Sequence, residues 1–238
     1  MSIKGLGLTM PSIQVLFLLA GGTLPWIFGQ SLLSRPRASL KPALPGLTAL
    51  RVAITLGNAV LVTYTFTKLP LAECYAIFFT MPLMITVLAW PILGERIDPR
   101  RGFVVLMGFL GVLVALDPQA TEFQWAHLTA FGGASLGAAN GILLRLIGPR
   151  ETTGVMMVYP VAAQFLAAAL VMPFVWVPPG LDAVAIALGA GLLGTLGGFA
   201  IIAAYRMAPT IVVAPMQYSQ ILWASLLGIL IFDEWPGR

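Results

Sequence analysis

One carboxylate in this sequence lies where a carboxylate is costly. Glu73 falls about one turn inside an apolar segment that begins after Pro70. An acid so close to hydrocarbon must be paired or must face a water-filled cavity. Glu73 is therefore the first candidate for a cation-coupling site or for a contact with a substrate amine. The alternative is an interfacial residue that the positive end of a helix dipole stabilises.

Four amide side chains lie inside apolar segments, where an unpaired amide costs a few kcal/mol. Each amide should therefore bond across two helices or line a transport pathway. Bonding between helices is the commoner of these two roles. The four amides are Asn58, Asn140, Gln164 and Gln217.

The sequence contains one cysteine, Cys74, and one histidine, His127. A structural zinc site needs four such ligands and a disulfide needs two thiols. No pair of acids lies within one apolar segment, as a carboxylate-based enzyme would require. We therefore predict no catalytic residue, no metal site, no cofactor and no enzyme activity. His127 is interpreted as an interfacial residue rather than as a proton relay.

The elements that hold these side chains are predicted to be membrane-spanning helices. Hydrophobic residues make up 59% of the 238 positions and charged residues only 9%, unlike the composition of a soluble domain. Most of the uncharged runs approach the ~20 residues that cross a bilayer. The sequence thus predicts an all-α polytopic bundle of about eight transmembrane helices. The predicted spans are 12–33, 52–67, 74–93, 102–116, 128–144, 155–176, 183–205 and 207–232.

Basic residues are concentrated on alternate connections between these spans. One set of connections holds ten of the thirteen basic residues. The positive-inside rule places this set in the cytosol and both chain ends outside. Because the charges are spread over four loops without interleaved aromatic residues, we predict no nucleic-acid partner. The ten are Arg35, Arg37, Lys41, Arg51, Arg96, Arg100, Arg101, Arg145, Arg150 and Arg206.

A shift of 139 residues superimposes two stretches of the sequence without gaps. Pro70 then falls on Pro209 and Glu95 on Glu234, so each copy has a proline turn, an apolar helix and an acidic helix end. The predicted topology runs the two copies in opposite directions across the membrane. Such inverted repeats are typical of secondary transporters, whose substrate site lies between the repeats near the bilayer midplane.

The same shift adds an aromatic residue to the candidate site. Gln217 and Tyr218 in the second copy fall on Phe78 and Phe79 in the first. We predict that these positions face a common site near the middle of the membrane. The predicted substrate-binding residues are thus Glu73, Asn58, Asn140, Gln164, Gln217 and Tyr218.

The repeat also indicates which helices have no counterpart. Because the 139-residue offset covers five predicted helices, two complete repeats would contain ten, against the eight counted. The helix at 128–144 would map before residue 1, and the helix at 102–116 would map after residue 238. We therefore interpret the chain as a ten-helix repeat protein without its first and last helices. The first repeat is predicted to cover 1–118 and the second 119–238.

Two further features bear on the helices and their ends. Prolines inside helices free backbone carbonyls, which transporters use in broken-helix sites, although more often they only kink a helix. Glu95 is expected in a cytosolic loop beside several arginines, where an exposed ion pair would contribute little. The prolines expected to interrupt helices are Pro82, Pro91, Pro160, Pro173 and Pro215.

A series of short motifs, in this order and spacing, resembles the EamA-domain members of the drug/metabolite transporter superfamily. The resemblance implies a ten-helix fold of two EamA repeats with both ends cytosolic, which carries small metabolites such as amino acids and their derivatives. It implies no universal catalytic residue. The motifs are Leu69-Pro70-Leu71-Ala72-Glu73, Ile77-Phe78-Phe79-Thr80-Met81-Pro82-Leu83, Leu93-Gly94-Glu95-Arg96, Gly108-Phe109-Leu110-Gly111-Val112, Leu193-Gly194-Thr195-Leu196-Gly197 and Phe232-Asp233-Glu234-Trp235-Pro236.

Two functions are consistent with this sequence. We predict a secondary transporter of small organic metabolites, amino acids or related compounds, that works by alternating access. The alternative is a truncated, non-transporting EamA-like membrane protein. The expected surroundings are the lipid bilayer of a bacterial inner membrane, and the expected partner is a small-molecule substrate. A homodimer is one possible assembly.

Overall fold

The computed structural model describes residues 10–33, 39–95, 98–116, 123–220 and 222–223. Every regular element within these ranges is a helix, and the ranges contain no strand. The α-helices are α1 (Ser12–Leu33), α2 (Pro45–Lys68), α3 (Leu71–Phe78), α4 (Met81–Leu93), α5 (Pro99–Leu116), α6 (Trp125–Ile147), α7 (Thr153–Val175), α8 (Leu181–Met207) and α9 (Thr210–Val213), and a 3-10 helix follows at Ala214–Tyr218.

Six segments of the described chain are long and apolar enough to cross a bilayer. A further apolar helix, Gly102–Gly111, is shorter, and the last predicted span, at 207–232, ends beyond the described residues. The all-α polytopic membrane fold predicted from the sequence is thereby confirmed. The six segments are Ile13–Gln30, Pro45–Phe66, Glu73–Leu93, Trp125–Ile147, Thr153–Val175 and Leu181–Met207.

Proline turns open two of the described segments in the same way. Pro70 precedes α3 with φ −56° and ψ 145°, and Pro209 precedes α9 with φ −57° and ψ 147°. In each segment the amide four residues on donates to the proline carbonyl, from Cys74 at 3.1 Å and from Val213 at 3.3 Å. The 139-residue shift therefore superimposes segments that share their local structure.

Both of these segments depart from α-helical geometry soon after they begin. α3 ends at Phe78 and α4 begins at Met81, because Pro82 has no N–H to donate to the carbonyl of Phe78. The other segment passes into the 3-10 helix around Pro215. The remaining three prolines that were expected to interrupt helices lie inside continuous helices: Pro91, Pro160 and Pro173.

The chain divides into two compact units. The first unit is drawn from Met1–Leu56 and Leu146–Arg206, and the second from Gly57–Arg145 and Met207–Arg238. Each unit thus combines segments from both halves of the sequence. Because the units are defined by packing and not by repetition, the repeat boundaries at 1–118 and 119–238 stay a prediction.

In the first unit, α1 packs against α7 and α8. The rings of Phe17 and Phe165 stack with their centroids 4.6 Å apart, and Trp176 lies edge-on to Phe17 at 6.3 Å. Gly22 of α1 and Gly191 of α8 lie where the two backbones meet, and a Cβ added to either glycine would overlap backbone atoms of the other helix. This close approach therefore requires glycine at both positions.

A buried carboxylate joins two connections of the first unit. Glu151 is only 5% exposed. Its side chain accepts hydrogen bonds from the N–H groups of Ala43 at 3.0 Å and Leu44 at 2.6 Å, and from the hydroxyl of Thr48 at 3.2 Å. The first N–H groups of a helix have no partner within the helix and carry partial positive charge. Glu151 therefore caps the N-terminus of α2 from the turn that precedes α7.

Five arginines predicted to lie in cytosolic connections are helical instead, and distant carbonyls bind two of them. Arg51 lies in α2, where it is buried and donates to the carbonyl of Met156. Arg206 lies in α8 and donates to the carbonyls of Gly148 at 2.9 Å and Glu151 at 2.6 Å. The prediction from sequence placed each helix boundary directly next to the charged residue. A guanidinium can instead lie within a helix when nearby carbonyls satisfy its donors.

In the second unit, Glu95 also differs from its prediction. It was expected in an exposed loop beside neighbouring arginines. Its side chain is instead 15% exposed, and it accepts hydrogen bonds from the N–H groups of Thr210 at 3.1 Å and Ile211 at 3.4 Å. The Nε of Arg145 on α6 donates to the same carboxylate at 3.2 Å. Glu95 therefore caps α9 and joins it to α6.

Hydrogen bonds at the helix ends agree with the predicted alternation of connections. Four of them each join two connections or chain ends that the topology places on the same side of the membrane. Which of the two sides is cytosolic stays a prediction. The four bonded pairs are Gln14 with Val177, Ala43 with Glu151, Glu73 with His127 and Glu95 with Thr210.

Candidate functional site

The second unit brings two repeat-equivalent residues into contact. Phe79 follows α3 and Tyr218 ends the 3-10 helix, and the 139-residue shift superimposes them. Their ring centroids lie 5.9 Å apart, and both residues are 8% exposed. If an axis relates the two repeats, two equivalent residues can touch only close to that axis. We therefore name Phe79 and Tyr218 the axial pair.

The hydroxyl of Tyr218 is buried and has no hydrogen-bond partner among the described residues. A buried hydroxyl without a partner costs about 1–3 kcal/mol. The ring rests on α5, where a Cβ added to Gly108 would lie 2.7 Å from the ring carbon Cδ2. A glycine at this position therefore lets the ring pack closely, and the hydroxyl has hydrogen-bonding capacity for a ligand.

The predicted candidate Glu73 pairs with the only histidine of the sequence. Glu73 lies in the first turn of α3 and is buried. Its Oε2 lies 3.2 Å from Nε2 of His127, which lies in the first turn of α6. His127 was predicted to be interfacial, and a sequence separation of 54 positions conceals its contact with Glu73. The signal that could have revealed it is the topology, which places both of their connections on one side.

Aromatic rings lead from the neighbourhood of Glu73 to the axial pair. The ring centroid of Tyr75 lies 6.2 Å from that of Phe79 and 5.7 Å from that of Phe66. Phe78 packs against Phe66 with centroids 5.5 Å apart. Aromatic faces can stack on a flat ligand ring or hold a cation. This aromatic row could therefore bind a compound that has a planar ring.

The four predicted amides have different surroundings. Nδ2 of Asn58 donates to the carbonyl of Gly133 at 2.7 Å, so this amide joins α2 to α6. Asn140 lies half-buried on α6, and Gln217 lies half-buried in the 3-10 helix. These three residues lie in the second unit with the axial pair, whereas Gln164 lies half-buried on α7 in the first unit. Their binding of substrate stays a prediction.

The described side chains around Glu73 and the axial pair suit the binding of a ligand. Within the described ranges, no three His, Cys, Asp or Glu side chains are grouped so that they could hold a metal ion. Cys74 is fully buried, and its thiol donates to the carbonyls of Thr65 at 3.7 Å and Leu69 at 3.6 Å. The groups that remain for a ligand are an acid paired with an imidazole, a phenol and several aromatic faces.

Two comparisons with known sequences agree with the motifs. Residues 3–116 match the EamA-like transporter family. A riboflavin transporter from Vibrio cholerae is 28% identical over 172 residues, which cover 71% of this chain and 57% of the relative. An S-adenosylmethionine uptake transporter from Rickettsia bellii is 25% identical over 200 residues, which cover 84% of this chain and 69% of the relative. This chain thus spans only part of the length of either relative.

A comparison with solved structures supports the fold. One crystal structure superimposes with a TM-score of 0.76 at 21% sequence identity, over 94% of this chain and 79% of that one. At this identity the likeness concerns the helical fold alone. The chain is thus a multi-pass membrane protein whose residues 3–116 match the EamA-like transporter family, a match that confirms the resemblance of its motifs.

Proposed function

We propose that this chain is a secondary transporter of small organic metabolites that works by alternating access. The matched family supports this function, as do relatives that transport riboflavin and S-adenosylmethionine. The inverted repeat predicted from the sequence supports the mechanism, because two halves of opposite orientation can exchange their roles on the two sides of a membrane. Its proposed location is a bacterial inner membrane, since outer-membrane proteins are typically β-barrels.

The observation that carries the proposal is the buried Tyr218 hydroxyl at the axial pair. Transporters built from inverted repeats bind substrate between the repeats, near the bilayer midplane. A residue that touches its own repeat equivalent lies at that boundary. At that boundary, a hydroxyl that has no partner among the described residues is available to form a hydrogen bond with the substrate. We propose Tyr218 as the residue that makes this bond.

The proposed substrate has a planar ring, and the site also favours an amino-acid group on it. The aromatic row beside the axial pair supports the ring, because aromatic faces stack on flat heterocycles. The half-buried amide of Gln217, next to Tyr218, can bond to amino or carboxyl groups. S-adenosylmethionine is an amino-acid derivative with a planar ring and is the first candidate. Riboflavin, which has the ring without the amino acid, is the second.

Uptake into proteoliposomes tests the proposal. The 238-residue chain is reconstituted and offered labelled S-adenosylmethionine, labelled riboflavin and a labelled amino-acid pool in separate assays. We expect saturable uptake of one of these, which an excess of the unlabelled compound suppresses and which protein-free vesicles lack. No uptake of any of the three by protein that unfolds cooperatively would favour the alternative, a non-transporting EamA-like membrane protein.

A further inference from the structure

Glu73 and His127 meet where the start of α3 packs against the start of α6. Their side chains are 8% and 19% exposed. The neighbouring residues Cys74 and Ala126 belong to one buried apolar cluster. A carboxylate in such surroundings is costly unless it is paired. The 3.2 Å contact with Nε2 of His127 provides that pairing.

The other ring nitrogen of His127 has two partners within reach. Nδ1 lies 3.0 Å from the backbone nitrogen of Gln124 and 3.2 Å from the carbonyl oxygen of the same residue. In the neutral imidazole with its hydrogen on Nε2, Nδ1 accepts the N–H of Gln124. In the imidazolium, Nδ1 carries a hydrogen and donates to the carbonyl. The site can therefore hold either protonation state of the ring without recruiting another residue.

Two groups lie directly against this ring. The carboxylate of Glu73 contacts Nε2 at 3.2 Å. The ring of Phe123 stacks on that of His127, with centroids 5.6 Å apart and planes at 20°, and an aromatic face supports a cation. Histidine is the side chain whose charge changes in the physiological pH range, so a ring held between an acid and an aromatic face suits a reversible site.

Few other titratable groups lie at this end of the packed helices among the residues that the structure describes. Among the described residues, α3 contributes the buried thiol of Cys74 and the exposed phenol of Tyr75. α2 ends at Lys68, which is exposed. Imidazole is the side chain type that exchanges a proton near neutral pH, unlike an amine, a thiol or a phenol. His127 and Glu73 are therefore the groups suited to exchange a proton there.

We propose that Glu73 and His127 form a proton-binding site through which transport is coupled to a proton gradient. Without the proton, the carboxylate and the neutral imidazole together carry one negative charge. A proton from water then binds the lone pair of Nδ1, an N–H bond forms, and the pair becomes net neutral. Release breaks this bond and returns the proton to water. The coupling rests on the proposed transport function, whereas the proton binding does not.

NMR of the single histidine tests the proton binding without any substrate. The full chain, labelled with ¹⁵N-histidine in lipid nanodiscs, gives signals from one imidazole because the sequence has one histidine. We expect the Nε2-protonated tautomer at high pH and a single titration to the doubly protonated ring as pH falls. In Glu73→Gln this titration is expected to change, because the imidazolium loses its anionic partner.

Two NMR results would overturn the proton site. One is an imidazole that keeps a single protonation state from about pH 5 to pH 9, a range in which an accessible histidine titrates. The other is a titration that Glu73→Gln leaves in place. Asp98→Asn is the matched control, because it neutralises an exposed carboxylate on another connection and should leave the titration unchanged.

Proteoliposomes test the coupling separately. Vesicles take up labelled S-adenosylmethionine or riboflavin under an imposed pH step. With one proton coupled to each substrate, a step of one pH unit changes the steady-state accumulation about tenfold. His127→Gln is expected to abolish this response. Asp98→Asn should keep both the response and the exchange of labelled for unlabelled substrate.

The outcomes of this assay separate the two proposals. Wild-type protein that shows no exchange contradicts the transport function, and with it the coupling, but leaves the NMR test of proton binding in force. Wild-type protein that exchanges substrate and does not respond to the pH step contradicts the coupling alone. A response that survives in both His127→Gln and Glu73→Gln places the coupling elsewhere and also overturns the proposal.

Discussion

At the scale of one residue, removal of the Tyr218 hydroxyl tests whether this group binds substrate or stabilises the fold. Because it has no described protein partner, Tyr218→Phe should leave the melting temperature unchanged or raise it. The same change should raise KM about fivefold, since one hydrogen bond contributes about 1 kcal/mol. Both values are measured on protein in proteoliposomes or detergent.

Tyr159→Phe is the matched control for this substitution. The hydroxyl of Tyr159 donates to the carbonyl of Leu40 at 3.2 Å, so its loss should lower thermal stability slightly and leave KM unchanged. If Tyr218→Phe instead lowers stability and leaves KM unchanged, the hydroxyl has a structural partner and the binding role is wrong.

Gly108 provides a second test of the axial pair. A Cβ there would lie 2.7 Å from the ring of Tyr218, so Gly108→Ala must displace the ring. We expect a loss of about 1–3 kcal/mol of stability from overpacking and a clear fall in kcat/KM. Gly111→Ala on the same helix is the control, because no atom lies within 4 Å of its added Cβ. Equal kcat/KM values for the two variants would contradict a role for the ring position.

Some contacts of single residues could be predicted from the sequence and others could not. The pairing of Phe79 with Tyr218 agrees with the repeat, because the 139-residue shift already superimposes them. The contact of Glu73 with His127 follows from no local pattern, since it joins two helices that are 54 positions apart. Its physical cause is that a buried carboxylate needs a partner, and the sequence does not identify that partner.

At the scale of elements, carboxylates hold helix ends that belong to different parts of the chain. Glu151 accepts hydrogen bonds from two N–H groups and a hydroxyl at the start of α2, and it is 5% exposed. Glu151→Gln should therefore cost about 2–3 kcal/mol, because buried donors lose a charged acceptor. The measurement is thermal unfolding in detergent.

Asp98→Asn is the control for Glu151→Gln as well. Asp98 also accepts an N–H near the start of a helix, from Arg100 at 3.0 Å, but it is exposed. The melting temperature of the Asp98→Asn protein should differ little from that of the unchanged chain, because exposed charges are screened by water. Equal effects of the two substitutions would show that the buried cap of α2 is not a stabilising contact.

The helices themselves were largely predictable, because each long apolar run is stable only in the bilayer or in contact with other apolar groups. The residues at which the helices end were less predictable. The sequence placed Arg51 and Arg206 in connections, although both lie in helices. Their carbonyl partners, Met156 and Gly148, lie more than 50 positions away, so no local signal shows that the charges are satisfied. The break between Phe78 and Met81 was predictable in kind, because Pro82 removes one backbone donor.

At the scale of the whole molecule, the inverted repeat predicts opposite sides for two equivalent turns. Lys68 and Met207 precede the two proline turns, are exposed and fall on each other under the 139-residue shift. In spheroplasts, a membrane-impermeant maleimide should label Lys68→Cys from outside. Met207→Cys should react only after the membrane is opened. The unchanged chain is the control, because its single thiol, Cys74, is buried.

Labelling of both positions from the same side would contradict the inverted topology. Labelling with the two sides exchanged would keep the inversion and reverse the orientation inferred from the basic residues. The maleimide assay therefore tests the repeat and the positive-inside prediction separately.

Counterflow tests most directly whether this chain moves a metabolite by alternating access. Proteoliposomes are preloaded with unlabelled S-adenosylmethionine or riboflavin and diluted into a trace of the same compound with a label. Alternating access predicts that label accumulates transiently in preloaded vesicles well above the level in empty ones. Each time the transporter carries an unlabelled molecule out, its binding site becomes available to labelled compound outside. Equal, low label in preloaded and empty vesicles for both compounds, from protein shown to be folded, would contradict transport of these substrates by alternating access.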